Sequence, residues 1–334
     1  KRFLTIFAAA TISVRASAFS GGTMAFGVSF GGPAAAAVPA KIENLRRVGH
    51  LDGRSVPVPR IDGYDRQNAV VILEDLGDWT FERCLYEQPS FVAPDASWQD
   101  LGWAYEQAVD LLIHFQVQTR GAFHEEGPWR TRGFDHALLH GEWRHFVEYL
   151  LVEGAQRHDL LHDPGVEVAG ARLVESILGL PYTLSHRDYQ SRNLMVTPRG
   201  IVLIDFQDAL AGPYIYDLVA LLRDSYVVIP DETLFPLLRR FHAKGVEAGL
   251  FTHGFDELRA HFDLVTLHRK AKDAGRFVFI DRVKGNPDFL PHIPASVRYV
   301  LDALARLADY SDLRENIEPV LCDYLHTIER SSDA

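Results

Sequence analysis

The chain has 334 residues, 47% of them hydrophobic, which is enough to bury a large core and long enough to favour two domains or lobes. A formal net charge of −11 argues against nucleic acid or an anionic membrane as partner, because phosphate-binding surfaces need clustered Lys and Arg, whereas it suits a cationic or neutral small molecule. The two cysteines, Cys84 and Cys322, are far apart in sequence and suggest neither a disulfide framework nor a cysteine metal site, so a reducing cytoplasm is the default compartment.

Residues 1–20, KRFLTIFAAATISVRASAFS, have two readings. A basic start, a short apolar stretch and Ala-Ser-Ala are the parts of a secretory signal; the same residues also suit a first strand, and Arg15 interrupts the apolar region. The expectation is a cytoplasmic protein, with secretion as the alternative. No apolar run approaches the ~20 residues of a membrane span. ISVRASAF and TMAFGVSF read as strand, tight turn and strand. The glycines of SGG and FGG serve either as hairpin turns needing positive φ or as a loop covering phosphates. KIENLRRVGHL, opening on Lys41, reads as a helix. VPVPRI and NAVVILEDLGDWTF follow, the second as a buried strand running into an acidic segment.

Helices come next. ASWQDLGWAYEQAVDLLIHFQVQT places Leu101, Ala104, Tyr105, Ala108, Leu111, Leu112 and Phe115 at helical spacing, a core-facing stripe on which His114 is a packed or helix-face residue rather than a ligand. HALLHGEWRHFVEYLLVEG is a second amphipathic helix beginning near Phe134 and Asp135.

Residues 184–208, LSHRDYQSRNLMVTPRGIVLIDFQD, carry the chemistry. Asp188 and, five residues on, Asn193 have the spacing of a catalytic loop in which the acid accepts the proton of a substrate hydroxyl and the amide holds Mg2+. NLMV and IVLIDF flank the turn-forming TPRG and read as a β-hairpin that returns Asp205, the second metal ligand, beside Asn193. The tripeptide HRD alone arises easily by chance, as a buried His followed by a salt-bridged Asp. The joint pattern points to phosphoryl transfer from ATP with Mg2+ as cofactor. By position, backbone groups around Leu73, Glu74, Asp75 and Leu76 would then form the hinge that bonds an adenine edge. The plainer reading there is a turn in which Asp75 or Asp78 caps backbone N–H groups. After the hairpin, AGPYIYDLVALLRDSYV gives a turn and an apolar helix, and GFDELRAHFDLVTLHRKAKDAG and PASVRYVLDALARLADY give further helices. There are no repeats and no low-complexity linker.

HRDYQSRNLMV followed by IDFQDALAGPYIYDLVALLRDSYV resembles the aminoglycoside phosphotransferase-like kinase superfamily. Within it, the chain is most similar to the bacterial cell-wall sugar kinases that phosphorylate the anomeric hydroxyl of N-acetylmuramate and N-acetylglucosamine. The resemblance runs from about Val56 to about Leu313 and is densest between Leu184 and Tyr226, with a second stretch at HRKAKDAGRFVFIDRVKGNPDFLPHIPASVRYV. Aminoglycoside kinases proper usually show Gly where this chain has Arg187, and the run from Asp205 to Ala209 is more like the sugar kinases.

The resemblance implies an α+β, bilobal protein-kinase-like fold. Residues 1–74 would form a small β-rich lobe over the nucleotide and residues 75–334 a larger, mainly helical lobe. It implies that Asp217 accepts hydrogen bonds from the catalytic-loop backbone, and His186 and Arg187 brace that loop. Glu142 and Trp143 fall where similar sugar kinases face the acceptor pocket; from the helix alone they are a solvated glutamate and a core tryptophan. Asp208 is either a second anionic contact near the sugar or a cap, and Arg223 and Asp224 either form a surface pair or reach the acceptor.

The lysine that a kinase usually presents to the α and β phosphates has no clear candidate among the six lysines. Lys41 and Glu43, two apart on one helix, do not face each other. Either backbone amides, metal and an Arg hold the phosphates, as its loss in similar sugar kinases implies, or the small lobe is damaged. Two other functions compete with the sugar kinase: an aminoglycoside or other amino-alcohol phosphotransferase, and a nucleotide-binding regulatory module. The expected partners are small molecules, with no obligate protein partner.

Overall fold

The structure, a computed structural model, describes residues 12–18, 24–30, 56–65, 70–87, 100–120 and 133–332. Lys41, Glu43 and the helix expected around them lie outside the described residues. The chain forms two compact units that interleave in sequence: Lys1–Thr131 with His186–Ala209, and Arg132–Ser185 with Leu210–Ala334. The catalytic hairpin therefore groups with the amino-terminal half.

In the first unit, β1 (Ile12–Ala18), β2 (Met24–Phe30), β3 (Ile61–Asp65) and β4 (Val70–Leu73) form an antiparallel sheet of order β1-β2-β4-β3. The strand reading of ISVRASAF and TMAFGVSF holds in the pairing of Ile12 with Phe30 through Ala18 with Met24. After β4 the chain turns at Gly77, whose φ of +77° is open to glycine at no steric cost, and Thr80 caps the short helix α1 (Phe81–Tyr86) by accepting the Arg83 N–H at 3.1 Å. Helix α2 (Leu101–Thr119), capped by Asp100, buries Ala104, Tyr105, Ala108, Leu112 and Phe115 as its stripe requires, while Leu111 and His114 are half-buried. Phe81 meets Tyr105 edge to face at 5.1 Å. The hairpin of β6 (Leu194–Thr197) and β7 (Gly200–Leu203) closes over this core in the register Leu194 with Leu203 and Thr197 with Gly200. Pro57 accepts the Leu203 N–H at 2.8 Å, which lays VPVPRI along the hairpin. Cys84 is buried here, and burial pushes its thiol up to about 12, so it is unreactive.

The second unit pairs β5 (Tyr182–Ser185) with β8 (Leu210–Pro213). Its helices are α3 (His136–Phe146), α4 (Pro164–Leu178), α5 (Tyr216–Leu222), α6 (Asp231–Glu247), α7 (Phe255–Lys284), α8 (Ile293–Arg306) and α9 (Ser311–Ser332). Asp135 and Asp163 cap α3 and α4, and Gly285, at φ +66°, ends α7. The helix expected to run unbroken from residue 136 to 154 changes at Val147 into a wider i→i+5 winding through Gly154. The change falls where α7 comes closest: a Cβ on Gly275 would stand 2.9 Å from both the His145 carbonyl oxygen and the Phe146 Cα. No helix among the described residues is long and apolar enough to cross a membrane.

Gly275 thus sets the spacing of α3 and α7. Gly275→Ala gains about 1 kcal/mol of helix propensity but forces two backbones apart, and overpacking of that kind costs about 1–3 kcal/mol or more. The clash is with backbone, which cannot rotate away, so we expect a net loss of about 1–2 kcal/mol, measured as a lower urea midpoint with unchanged slope.

Candidate active site

Asp188, Asn193 and Asp205 lie in the first unit, and main-chain hydrogen bonds assemble them. Two N–H groups converge on the Asp188 carbonyl: the Gln190 amide and the Asn193 Nδ2, each at 2.9 Å. With its amide nitrogen so engaged, Asn193 keeps Oδ1 as an acceptor, the atom type that a hard cation takes. The Ile204 N–H donates to the Asn193 carbonyl at 3.0 Å, so the hairpin does bring the residue before Asp205 against Asn193. The His186 ring bonds the Ile204 carbonyl through Nε2 at 2.9 Å, tying the acid's loop to the strand that carries Asp205. His186 is fully buried and meets Tyr189 edge to face at 5.9 Å.

Arg187, at φ +74°, and Asp205, at φ +62°, are two of three non-glycine residues with positive φ among the described residues. For an L-residue that conformation costs about 1–2 kcal/mol and is kept only where surroundings enforce it. The surroundings are specific. The Tyr189 hydroxyl donates to the Ala108 carbonyl of α2 at 2.8 Å, and Arg192 forms a bidentate pair with Glu82 of α1 at 2.8 and 3.0 Å. Sequence reasoning missed both anchors, whose only sequence trace is a Tyr and an Arg inside the motif.

At the expected hinge, the Glu74 amide is engaged by the Arg60 carbonyl at 2.9 Å, so it is no donor for a base. The Glu74 carboxylate accepts the Arg60 N–H at 3.1 Å and Arg199 Nη2 at 2.8 Å through the same oxygen, Oε2, and Asp75 accepts the Gly77 N–H at 2.9 Å. Asp75 is therefore the turn cap of the plainer reading. Asp208 is exposed and Leu76 half-buried.

The remaining expected residues fall in the second unit. Asp217, 1% exposed, accepts a hydrogen bond at 2.9 Å from the hydroxyl of Ser185, the residue immediately before His186. Trp143 is core, but Glu142 is not a solvated glutamate: its side chain is 13% exposed, Nδ1 of the buried His268 lies 3.8 Å from Oε2, and Oε2 has no hydrogen-bond partner. Arg223 and Asp224 are likewise no surface pair, since both are buried. Arg223 lies over the Tyr299 ring at 4.8 Å, and Asp224 caps the Tyr226 N–H at 3.0 Å.

A set of charges that periodicity would leave in solvent, and that is wholly or largely enclosed, accompanies them on α7. Lys270 bonds Ser225 and, at 2.8 Å, Asp273; Lys272 reaches the Tyr216 hydroxyl at 3.3 Å and Asp273 at 3.4 Å. Burial alone would raise the Asp273 carboxyl, but Lys270, Lys272 and Arg269 together hold it well below the usual carboxylate range. Burial would likewise lower the Lys272 ammonium; Tyr216, Asp273 and Glu142 instead hold it above its ordinary value.

A family model described as the phosphotransferase enzyme family matches residues 31–259. The N-acetylmuramate/N-acetylglucosamine kinase of Pseudomonas aeruginosa is 32% identical over 283 residues, covering 81% of this chain and 75% of that protein. The protein of the same name from Neisseria meningitidis serogroup B is 28% identical over 260 residues, covering 77% and 74%. Among solved structures, LicA in complex with AMP, a choline kinase from Streptococcus pneumoniae, superposes with a TM-score of 0.54 at 13% identity, covering 91% of this chain and 94% of that one. At that identity the likeness shows the fold, the α+β protein-kinase-like fold.

The positive φ at Arg187 reverses an ordinary order. Alanine normally gives a more stable protein than glycine, by about 0.5–1 kcal/mol, but at positive φ only glycine escapes the Cβ penalty. Arg187→Gly should therefore be more stable than Arg187→Ala by about 1 kcal/mol in urea unfolding.

Proposed function

Because this chain belongs to the phosphotransferase enzyme family, we propose that it transfers the γ-phosphate of ATP to a sugar hydroxyl, the anomeric hydroxyl of N-acetylmuramate or N-acetylglucosamine. The observation that carries the reading is the closed set of bonds joining Asp188, Asn193 and the Asp205 strand, together with relatives named for these two sugars. The aminoglycoside alternative has less support, since those relatives carry the sugar-kinase name.

In this reading Asp188 orients the acceptor hydroxyl and takes its proton, at the end of a loop fixed on both sides. His186, Arg187 and Asp217 keep that loop in place and touch no substrate. Asn193 Oδ1 and the Asp205 carboxylate are hard oxygen donors and fit Mg2+, which when bound supplies charge neutralisation at the β and γ phosphates. The base would be met at residues 73–76. There main-chain groups other than the Glu74 amide would serve it, since that amide is engaged by the Arg60 carbonyl. Residues 1–74 would cover the nucleotide and residues 75–334 carry catalysis and acceptor. What takes the place of the usual phosphate-binding lysine falls to backbone amides, the metal and an Arg.

Glu142, Asp208, Arg223 and Asp224 are the proposed acceptor side chains. Glu142 has the most structural support, because a buried carboxylate oxygen without a hydrogen-bond partner is an acceptor awaiting a donor such as a sugar hydroxyl. A lining of both signs suits a neutral or monoanionic sugar, where a polycation would call for acids alone. ATP as donor places the protein in the cytoplasm, acting on small molecules without an obligate protein partner.

Phosphorus NMR of the product formed from either sugar should show a phosphate coupled to the C1 proton and labile to acid. Phosphate at C6, or kanamycin turning over faster than both sugars, would overturn the acceptor. Asp188→Asn should remove nearly all turnover while nucleotide affinity persists, because the proton acceptor goes and the metal ligands stay. Activity within a few fold of the parent would defeat the assignment of Asp188, and nucleotide binding without turnover of any acceptor would favour the regulatory module.

A further inference from the structure

A second cluster of ligand-type side chains stands in the second unit. His253, Glu257 and His261 each offer one potential ligand atom, and these atoms lie within 4.8 Å of one another. Their spacing of four residues puts them on one face where the chain enters α7: His253 precedes the capping Gly254, Glu257 is in the first turn, and His261 follows one turn later. Glu257 Oε1 is 3.9 Å from His261 Nε2. The other nitrogen of that ring, Nδ1, is 3.1 Å from the Tyr214 hydroxyl, and the same hydroxyl is 2.7 Å from His253 Nε2. Tyr214, 2% exposed, sits in the turn after β8. His253 is further held by the Phe251 ring, stacked at 4.5 Å, and by His242, whose Nε2 bonds the His253 carbonyl at 3.0 Å.

We propose that His253, Glu257 and His261 bind a divalent transition-metal ion, Zn2+ first among them, with Tyr214 orienting both imidazoles. Two imidazoles and a carboxylate are the protein donor set of an open zinc site, with water completing the tetrahedron. Ligand atoms of such a site stand about 3–3.5 Å apart for bonds near 2 Å, so a separation of up to 4.8 Å closes with small side-chain rotations. A metal-bound imidazole works best when its second nitrogen is held by an outer partner that fixes the ring, and here one phenol oxygen with two lone pairs serves both rings. Nitrogen donors suit Zn2+, Cu2+ or Ni2+ rather than Mg2+, so this site is chemically distinct from the oxygen donors of Asn193 and Asp205. The ion would join the turn after β8 to the loop and first turns that open α7.

The test uses the full chain, without a tag and freed of metal by chelation, titrated with Zn2+ against a chromophoric chelator, and with Co2+ followed by visible absorption. The expected result is one Zn2+ per chain at micromolar affinity or tighter, a four-coordinate Co2+ spectrum, and a melting temperature that rises with Zn2+. His261→Ala should weaken binding at least about 100-fold, and Tyr214→Phe about 10- to 100-fold as the outer partner is lost. Should His261→Ala fail to fold by circular dichroism, His253→Asn, in the loop before the helix, reads the same loss. No stoichiometric binding, or binding unchanged in both His253→Asn and His261→Ala, overturns the proposal and leaves Tyr214 and its two histidines as a hydrogen-bonded cluster.

Discussion

The carbonyl oxygen of Asp188 is the fixed point of the site. A loop with four residues between an acid and an amide is too short to be held by strand pairing, so its direction depends on the Gln190 amide and the Asn193 side chain converging on that oxygen. The loop's conformation is not free. Left-handed Arg187 and Asp205 together cost about 2–4 kcal/mol. Against this stand the bonds from Asn193 to Asp188, His186 to Ile204 and Tyr189 to Ala108, each contributing about 1 kcal/mol net, and Ser185 to the Asp217 carboxylate, contributing about 1.5–3. The bonds outweigh the strain by a few kcal/mol at most, which is how a strained loop stays in one conformation.

The buried charges of α7 pose the opposite problem. Taking Lys270 fully, and Lys272 and Asp273 in part, out of water carries a desolvation penalty of up to several kcal/mol per ion, and a well-packed apolar cluster would often be no less stable. Such a cluster is therefore weak support for stability. In a dry environment, fixed charges and hydrogen-bond donors act strongly on a hydroxylated ligand because no water has to be reorganised. The Glu142 carboxylate, which helps to hold the Lys272 ammonium charged, belongs to the same network.

How much was legible in the sequence follows from where the information resides. The β6–β7 hairpin and its Asp205 exit were legible because two short apolar runs flank the turn-forming TPRG, and the strands on either side of it pair from Leu194 with Leu203 to Thr197 with Gly200. The α2 stripe and the start of α3 near Asp135 were legible from helical periodicity. The Glu74 amide was not: whether a main-chain donor serves a neighbouring strand or a ligand leaves no trace in side-chain identity. Nor were the buried positions of Arg223, Asp224 and Lys270. A charged stretch such as HRKAKD looks solvated until tertiary packing encloses it, and tertiary packing overrides local polarity. The π-type winding at Val147 was hidden too, because it falls at a close approach from Gly275, about 130 residues away in sequence.

One carboxylate oxygen, Glu74 Oε2, receives both the Arg60 amide just before β3 and the Arg199 guanidinium in the β6–β7 turn. A single atom is therefore shared by the segment proposed to meet the base and by the hairpin that carries Asn193 and Asp205. Anything that draws Glu74 toward the nucleotide loosens the hairpin turn, and anything that orders the hairpin returns Glu74 to its place. By linkage the two effects are equal in free energy. The Arg199 side chain is half exposed, so the coupling is screened to about 0.2–1 kcal/mol. That is a few-fold change in affinity: too small to act as a switch, large enough for occupancy at one edge of the first unit to be felt as order at the other.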